Sequence, residues 1–423
     1  MADGELSALF ASMVRARRVP GAQFALFRNG RRAGAAAGEA EYGSGRRVTG
    51  DLAFPIGSIG KAFTATVAMI LVADGDLELD EPIGQYVPEC PAAATLTLRQ
   101  LLSHTSGLES GPDGGPSMRR YVSGLQLIQP PGRAFSYSNA GFVLVGRLIE
   151  EVTGMSWWAA MESVLLRPLG IVPAFVVGPG DPDAATTRPI AAGHAVGADG
   201  RTRPVSQNLT IAEAPAGAIA ASATDLVTFG LAHLDIGASV LPAEFAAQMR
   251  RPEPAADAFG LADRWGLGLA LFDEWAGHDG TADGTWCQLR IDPVNKVVVA
   301  LTSNASTGAS LWTDLVAELA GQGLTVASGA LMDVPETSVP PPESCFGRYR
   351  NGDLEYSIIP GPDGITLAVD DDPQALITFH EGLTFSMRDI LTGQSMYAGR
   401  CLADRDSGRI DRIQINGRLA ARC

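Results

Sequence analysis

Apolar residues recur at helical spacing through residues 4–18, which predicts an amphipathic helix at the start of the chain. Two short apolar runs follow, Gln23–Phe27 and residues 32–38, on either side of Asn29-Gly30. Asn-Gly between short strands predicts a two-residue hairpin turn, because both residues tolerate positive φ. Residues 58–74 are apolar almost throughout and predict a buried helix stopped by Asp74-Gly75. Much of 97–250 reads as helical, with examples at Leu98–Ser103, Ala140–Thr153 and Trp157–Leu166. Gly-, Pro- and Asp-rich stretches at 108–118 and 177–190 read as loops over a site. Strand patterning returns at Trp265–Phe272, Thr285–Ile291 and Val297–Ser303, with a turn at Asp292–Asn295 and a closing helix at 310–320. Strands at both ends bracketing a helical middle predict an α+β unit over 1–330. It would be an antiparallel sheet built from both ends and flanked by helices, plus an all-helical subdomain. A Pro-rich linker is expected over 331–343. After it, 344–423 holds about eight short strand-like runs. Turns are expected at Asn351-Gly352, Pro362-Asp363-Gly364, Asp406-Ser407-Gly408 and Asn416-Gly417, and together these predict a small all-β barrel or sandwich.

Composition changes this picture little. A chain of 423 residues with 46% hydrophobic content can bury two or three cores. A net charge of −15 with no long basic run argues against nucleic acid and anionic membranes as partners. No signal-peptide pattern and no apolar stretch approaching 18 residues is visible, so a cytoplasmic protein is expected. The five cysteines, Cys90, Cys287, Cys345, Cys401 and Cys423, are scattered and read as reduced thiols. His104 reads as a support for its turn rather than a chemical group; His194, His233 and His380 have no metal-ligand spacing, and no metal or cofactor is expected. There is no G-x-S-x-G elbow and no phosphate-binding G-x-x-x-x-G-K-[ST] loop. One oddity stands out: Lys61 and Lys296 are the chain's only lysines.

Lys61 belongs to Gly57-Ser58-Ile59-Gly60-Lys61, at the opening of the apolar helix. Residues i and i+3 share a helix face. A lysine buried among apolar groups loses proton affinity and becomes a base, which a Ser hydroxyl needs in order to act as a nucleophile. Taken alone, the pair fits a helix cap plus a surface lysine equally well. Tyr137-Ser138-Asn139 precedes a second helix, and an extended backbone would aim Tyr137 and Asn139 into one cleft. The alternative is a packed aromatic and a helix cap. His278-Asp279-Gly280-Thr281 ends a predicted strand, where a histidine cation or donor and a bare glycine would let a substrate lie against the backbone. A structural histidine in a turn is the competing reading.

In this order and context, the three elements resemble the serine β-lactamase, penicillin-binding protein and D-aminopeptidase superfamily. The nearest branch is that of class C β-lactamases, D-alanyl-D-alanine carboxypeptidases and related esterases. The resemblance runs over about residues 10–320 and includes Phe54–Thr64, Leu79–Ile83, Leu101–Leu108, Pro131-Gly132 and Gly277–Gly280. It implies an acyl-enzyme on Ser58, with Lys61 and Tyr137 sharing general-base and general-acid duty. It also implies an oxyanion held by the N–H groups of Ser58 and Thr281, with Asn139 and His278 orienting substrate or tuning protons. His278-Asp279-Gly280 stands where lactam-processing members carry Lys-Thr-Gly. Asp279 would repel a substrate carboxylate if it faced the site, so little classical β-lactamase activity is expected. The C-terminal barrel resembles the lipocalin-like domain appended to some esterases and peptide cyclases of the family. The expected function is hydrolysis of a small-molecule or peptide ester or amide. Acyl transfer to an amine or alcohol, as in a peptide cyclase, is the alternative. A non-catalytic sensor is disfavoured because Ser58, Lys61 and Tyr137 are all intact.

Overall fold

The computed structural model describes residues 3–111, 114–178, 188–197, 199–328, 334–361, 364–390, 393, 395–404 and 407–423. Parts of the expected loops (112–113 and 179–187), the start of the linker (331–333), Pro362-Asp363 and Asp406 lie outside the described residues.

The sheet has seven antiparallel strands. In spatial order they are Arg31–Gly38, Gly21–Arg28, Val297–Ser303, Thr285–Asp292, Trp275–Ala282, Ala270–Phe272 and Arg264–Trp265. Both ends of the residue 3–321 unit therefore meet in one sheet, because Gly21–Arg28 pairs with Val297–Ser303. The first hairpin turns at Asn29 (φ 53°) and Gly30 (φ 73°), both in the left-handed region that an Asn-Gly turn requires.

One face of the sheet packs on the helices Asp3–Ala16 and Gly308–Gly321 through Phe10, Phe24, Leu301, Trp312 and Leu315. The other covers the helical core. At its centre lies the helix Gly60–Ala73, twelve of whose fourteen residues are buried. Phe63 stacks on Phe229 at 3.9 Å. Burying each large side chain of this helix contributes about 1.5–3 kcal/mol, enough to hold a segment with little polar surface of its own.

Two local expectations need correction. Trp265–Phe272 is not one strand. It splits into Arg264–Trp265 and Ala270–Phe272, which pair with each other. The turn between them closes through Gly266 N–H donating to Leu269 O (2.8 Å) and Gly268 at φ 75°. A Cβ on Gly268 would lie 2.2 Å from Ala65 Cβ, so the turn seats against the central helix. The Trp157–Leu166 helix is also irregular, α-helical to Ala160 and then a π turn over Met161–Leu166.

Eight strands from Gly347–Asn351 to Arg418–Arg422 form a closed barrel in sequence order. Closure is made by Tyr349 opposite Arg422 and Arg350 opposite Ala421, which leaves no free edge. The barrel grips the segment leading into the Asn139–Thr153 helix. Tyr137 N–H donates to Gly417 O (3.0 Å), and Leu419 N–H donates to Ser136 Oγ (3.2 Å). Asn351 takes Ser110 N–H on its Oδ1 (2.6 Å) and donates Nδ2 to Leu419 O (2.6 Å). Asn351→Ala strands both of those backbone groups. We expect a loss of about 1–3 kcal/mol per orphaned group, read as a lower urea midpoint. An unchanged midpoint would show that the interface is not held this way.

Candidate active site

The turn carrying Ser58 is set by glycine. Gly57 sits at φ 51°, and a Cβ there would fall 2.1 Å from Thr281 O. Opposite it, a Cβ on Gly280 would fall 2.0 Å from Ile56 O. Backbone thus touches backbone at both points, pressing the Gly57–Ile59 3₁₀ turn onto the strand Trp275–Ala282. The α-helix proper starts at Gly60, so Ser58 lies in the turn before it. Residues 278–282 lie within Trp275–Ala282, which pairs along its length with Thr285–Asp292. On the other side pairing stops at Gly277, opposite Ala270, so 278–282 leave one edge to the cleft.

Lys61 Nζ donates to Ser58 Oγ (3.1 Å) and to Ala216 O (2.7 Å). Lys61 is only 1% exposed. Burial above all, then the nearby Arg418 charge, holds its proton affinity well below that of an ordinary lysine, and Glu213 partly opposes this. Tyr137 is buried with its ring centroid 5.2 Å from Lys61 Nζ. Burial pushes the phenol up to about 12, moderated by the Ser58 hydroxyl and Arg418. Its Oη lacks a hydrogen bond of good geometry among the described residues. Tyr137 therefore stays a phenol at neutral pH.

Ser138, not Asn139, caps the next helix, its Oγ accepting from Gly141 N–H (3.0 Å). Asn139 is left free to line the cleft with Ser58 and Lys61, its Oδ1 buried and unpartnered among the described residues.

His278 was expected as a cation or donor, and the structure corrects this. Burial first, then Lys61, depresses it to about 3, so the ring is neutral. Its Nδ1 lies 2.6 Å from Asp279 O. A carbonyl only accepts, so the proton is on Nδ1 and the unpartnered Nε2 is an acceptor. Asp279 is paired with Arg290 (Nη1–Oδ1 2.5 Å), whose side chain is fully buried. The repulsion expected from Asp279 toward a carboxylate is thereby largely neutralised. Thr281 shares the cleft with Ser58 on both sides.

Because unfolded histidine titrates near 6.5 and native His278 near 3, only the unfolded chain takes up that proton between these values. Stability therefore falls as pH drops from 6.5 toward 3. We expect His278→Gln to lose less of its urea midpoint than the wild type between pH 7 and pH 5. An equal loss would show that His278 is not a source of the slope.

Two residues come to the site that motif reasoning did not place there. His104 (φ 56°) accepts Ser138 N–H on Nδ1 (3.1 Å), and its ring lies 4.2 Å from that of Tyr137. Burial holds it neutral. Arg418 comes from the barrel, with its guanidinium 5.1 Å from the Tyr137 ring. Asn416-Gly417 was readable as a turn, but no local pattern ties Arg418 to a serine 360 positions earlier in the chain.

The cleft has two lobes meeting at Ser58 and Thr281. The polar lobe, about 310 Å³, includes Lys61, Asn139, Glu213 and Asp283. The aromatic lobe, about 370 Å³, includes Tyr137, Trp265, His278 and Arg418.

The family model described as Beta-lactamase matches residues 6–320. The chain belongs to this family. Its members are serine hydrolases, and the family's reach stops before the barrel. Penicillin-binding protein 4 of Amycolatopsis lactamdurans is 35% identical over 353 residues, covering 77% of this chain and 90% of that protein. Among solved structures, SurE superposes over 100% of this chain and 99% of its own, at 38% identity and a TM-score of 0.86. That match includes the barrel. SurE solved with D-Leu gives 37% identity and a TM-score of 0.84 over the same shares. The D-amino acid amidase of Ochrobactrum anthropi SV3 covers 71% of this chain and 90% of its own at 27% identity, with a TM-score of 0.61.

Proposed function

We propose that this protein forms an acyl-enzyme on Ser58 from an ester or amide substrate, with Lys61 as the base. The supporting observation is the buried Lys61 amine, low in proton affinity, 3.1 Å from Ser58 Oγ. As Oγ attacks the substrate carbonyl, Lys61 takes its proton. The N–H groups of Ser58 and Thr281 hold the oxyanion. On collapse, Tyr137, still protonated, gives its proton to the leaving oxygen or nitrogen and regains one from Lys61. Asn139 and Glu213, in the polar lobe, orient polar groups of the substrate, while His104 positions Tyr137. In the second half-reaction water attacks the acyl carbon and Ser58 leaves with a proton.

The D-Leu bound by SurE and the D-amino acid amidase relative favour a D-configured residue next to the reacting bond. The test compares the p-nitrophenyl esters of D-Leu and L-Leu. We expect turnover of the D-ester and an acyl adduct in intact mass that is missing in Ser58→Ala. A folded wild type with neither turnover nor adduct refutes the reading.

Transfer to an amine is the second reading, favoured by two features of the aromatic lobe. Arg418 offers a cation for an acceptor's carboxylate, and the bare Nε2 of neutral His278 offers a lone pair for its N–H. Adding D-leucine, whose amine can accept the acyl group and whose carboxylate can pair with Arg418, should divert acyl groups from acid to amide product at millimolar concentration. Exclusive hydrolysis at every amine concentration rules transfer out.

A further inference from the structure

Beyond Ser58 the aromatic lobe continues along the open edge of Trp275–Ala282 and under the helix Gly308–Gly321, walled by Trp265, Phe272, Trp286 and Trp312. Its 370 Å³ lies in the range of about 300–1,000 Å³ typical of small-molecule pockets. Four aromatic walls favour a flat ring, through offset and edge-on contacts.

Two wall residues carry polarity that nothing nearby satisfies. Gln288 and Trp286 stand two residues apart on Thr285–Asp292, on the same side of the sheet. Gln288 is 2% exposed, and its Oε1 has no hydrogen-bond partner among the described residues; the same holds for Trp286 Nε1. A buried polar atom without a partner is costly, and buried polar groups of folded proteins are nearly always satisfied. Both residues line the same cavity, one with an unpartnered acceptor and the other with an unpartnered donor.

The carboxylate nearby is already paired, and Arg290, whose Nη2 is buried without a partner among the described residues, does not line the lobe. Asp279, directly opposite Gln288 in the sheet, is held by Arg290, and the Arg290 guanidinium lies 3.8 Å over the Phe272 ring. This end of the lobe therefore calls for a neutral group that can both donate and accept, carried on an aromatic ring.

We propose that this end of the lobe is a subsite for a hydroxyaryl group of the substrate. The phenolic O–H donates to Gln288 Oε1, its oxygen accepts from Trp286 Nε1–H, and the ring packs among Phe272, Trp286 and Trp312. The proposal rests on the reading above only in taking the lobe that begins at Ser58 as the substrate cleft. It assigns Gln288 as a specificity residue for which plain acylation of Ser58 has no need. A site built to hydrogen-bond a hydroxyl discriminates against the analogue that lacks it far better than an apolar slot discriminates by size.

The test uses 4-ethylphenol and ethylbenzene as probes of the full-length protein, by calorimetry and by quenching of tryptophan fluorescence. The wild type is expected to bind 4-ethylphenol about tenfold or more tightly than ethylbenzene. Gln288→Met keeps volume and removes the amide, and should bring the two affinities together by weakening 4-ethylphenol while largely sparing ethylbenzene, since volume-conserving swaps disturb packing least. Equal binding of both probes by the wild type, no binding of either, or parallel weakening of both in Gln288→Met each overturns the proposal. Trp286→Phe is a second route, since it removes the donor along with part of the ring and should narrow the preference. An unchanged preference there overturns the two-sided assignment. Both measurements need no turnover. Phenol binding as expected with no acylation of Ser58 would sink the catalytic reading and leave the subsite standing, and the converse result would do the reverse.

Discussion

Replacing Lys61 with methionine is expected to lower kcat/KM by about 10²–10⁴-fold, the usual scale for losing a positioned general base. The folded state should gain from the same change. Unfolded lysine titrates near 10.5, and native Lys61 well below it. Between those values the unfolded chain holds a proton that the native protein lacks, so wild-type stability falls as pH drops through the window. Lys61→Met abolishes that slope and replaces a buried amine with an apolar chain of similar length. The variant should therefore be inactive yet at least as resistant to urea at pH 7 as the wild type. This is the pattern of a residue kept for chemistry at a cost in stability. Rates of acyl-adduct formation and urea midpoints at several pH values check both halves. Full activity in Lys61→Met removes the lysine from the mechanism, whatever happens to stability.

Gly280→Ala is expected to cut the rate sharply by forcing the Ser58 turn off the strand. The added Cβ would stand 2.0 Å from Ile56 O and 3.0 Å from Ile59 N, both of them backbone atoms of the segment that carries Ser58. Backbone cannot rotate away as a side-chain tip can, so the strand and the turn must separate. Overpacking alone costs about 1–3 kcal/mol. A displacement of the nucleophile by about 1 Å can cost 10²-fold in rate. We expect a loss of at least that factor in kcat, beyond what the lower stability explains at temperatures where the variant is folded. Gly50→Ala is the control, since a Cβ there meets nothing within 4 Å. Near-normal kcat in Gly280→Ala would show that the contact between turn and strand does not place Ser58.

Much of this architecture is readable locally. The Asn29-Gly30 hairpin, the buried helix after Ser58 and the regular barrel strands follow from periodicity and turn chemistry, which act over a few residues. The errors occurred where a tertiary contact overrode the local pattern. Trp265–Phe272 alternates like a strand, yet Gly268 must turn to seat against Ala65. His278 has the look of a proton donor, yet burial leaves it neutral with its only proton turned toward Asp279 O. Asn139 stands at a helix start, yet Ser138 takes the capping bond and frees it for the cleft.

By itself the sequence determined that Ser58 and Lys61 stand one turn apart at a helix start, that Tyr137 and Asn139 stand at a helix entrance, and that strands from distant parts of the chain form one sheet. Spacing settles those points because helix and strand periods are set by the backbone. Only the tertiary structure decided how those groups behave. Lys61 has a low proton affinity because it is buried and a barrel arginine stands nearby; the charge of Asp279 is compensated because Arg290 lies buried against it. Proton affinity and charge compensation depend on what surrounds a group in space. Arg418, 360 positions from Ser58, is brought to it by the folding of a second unit that no local pattern records.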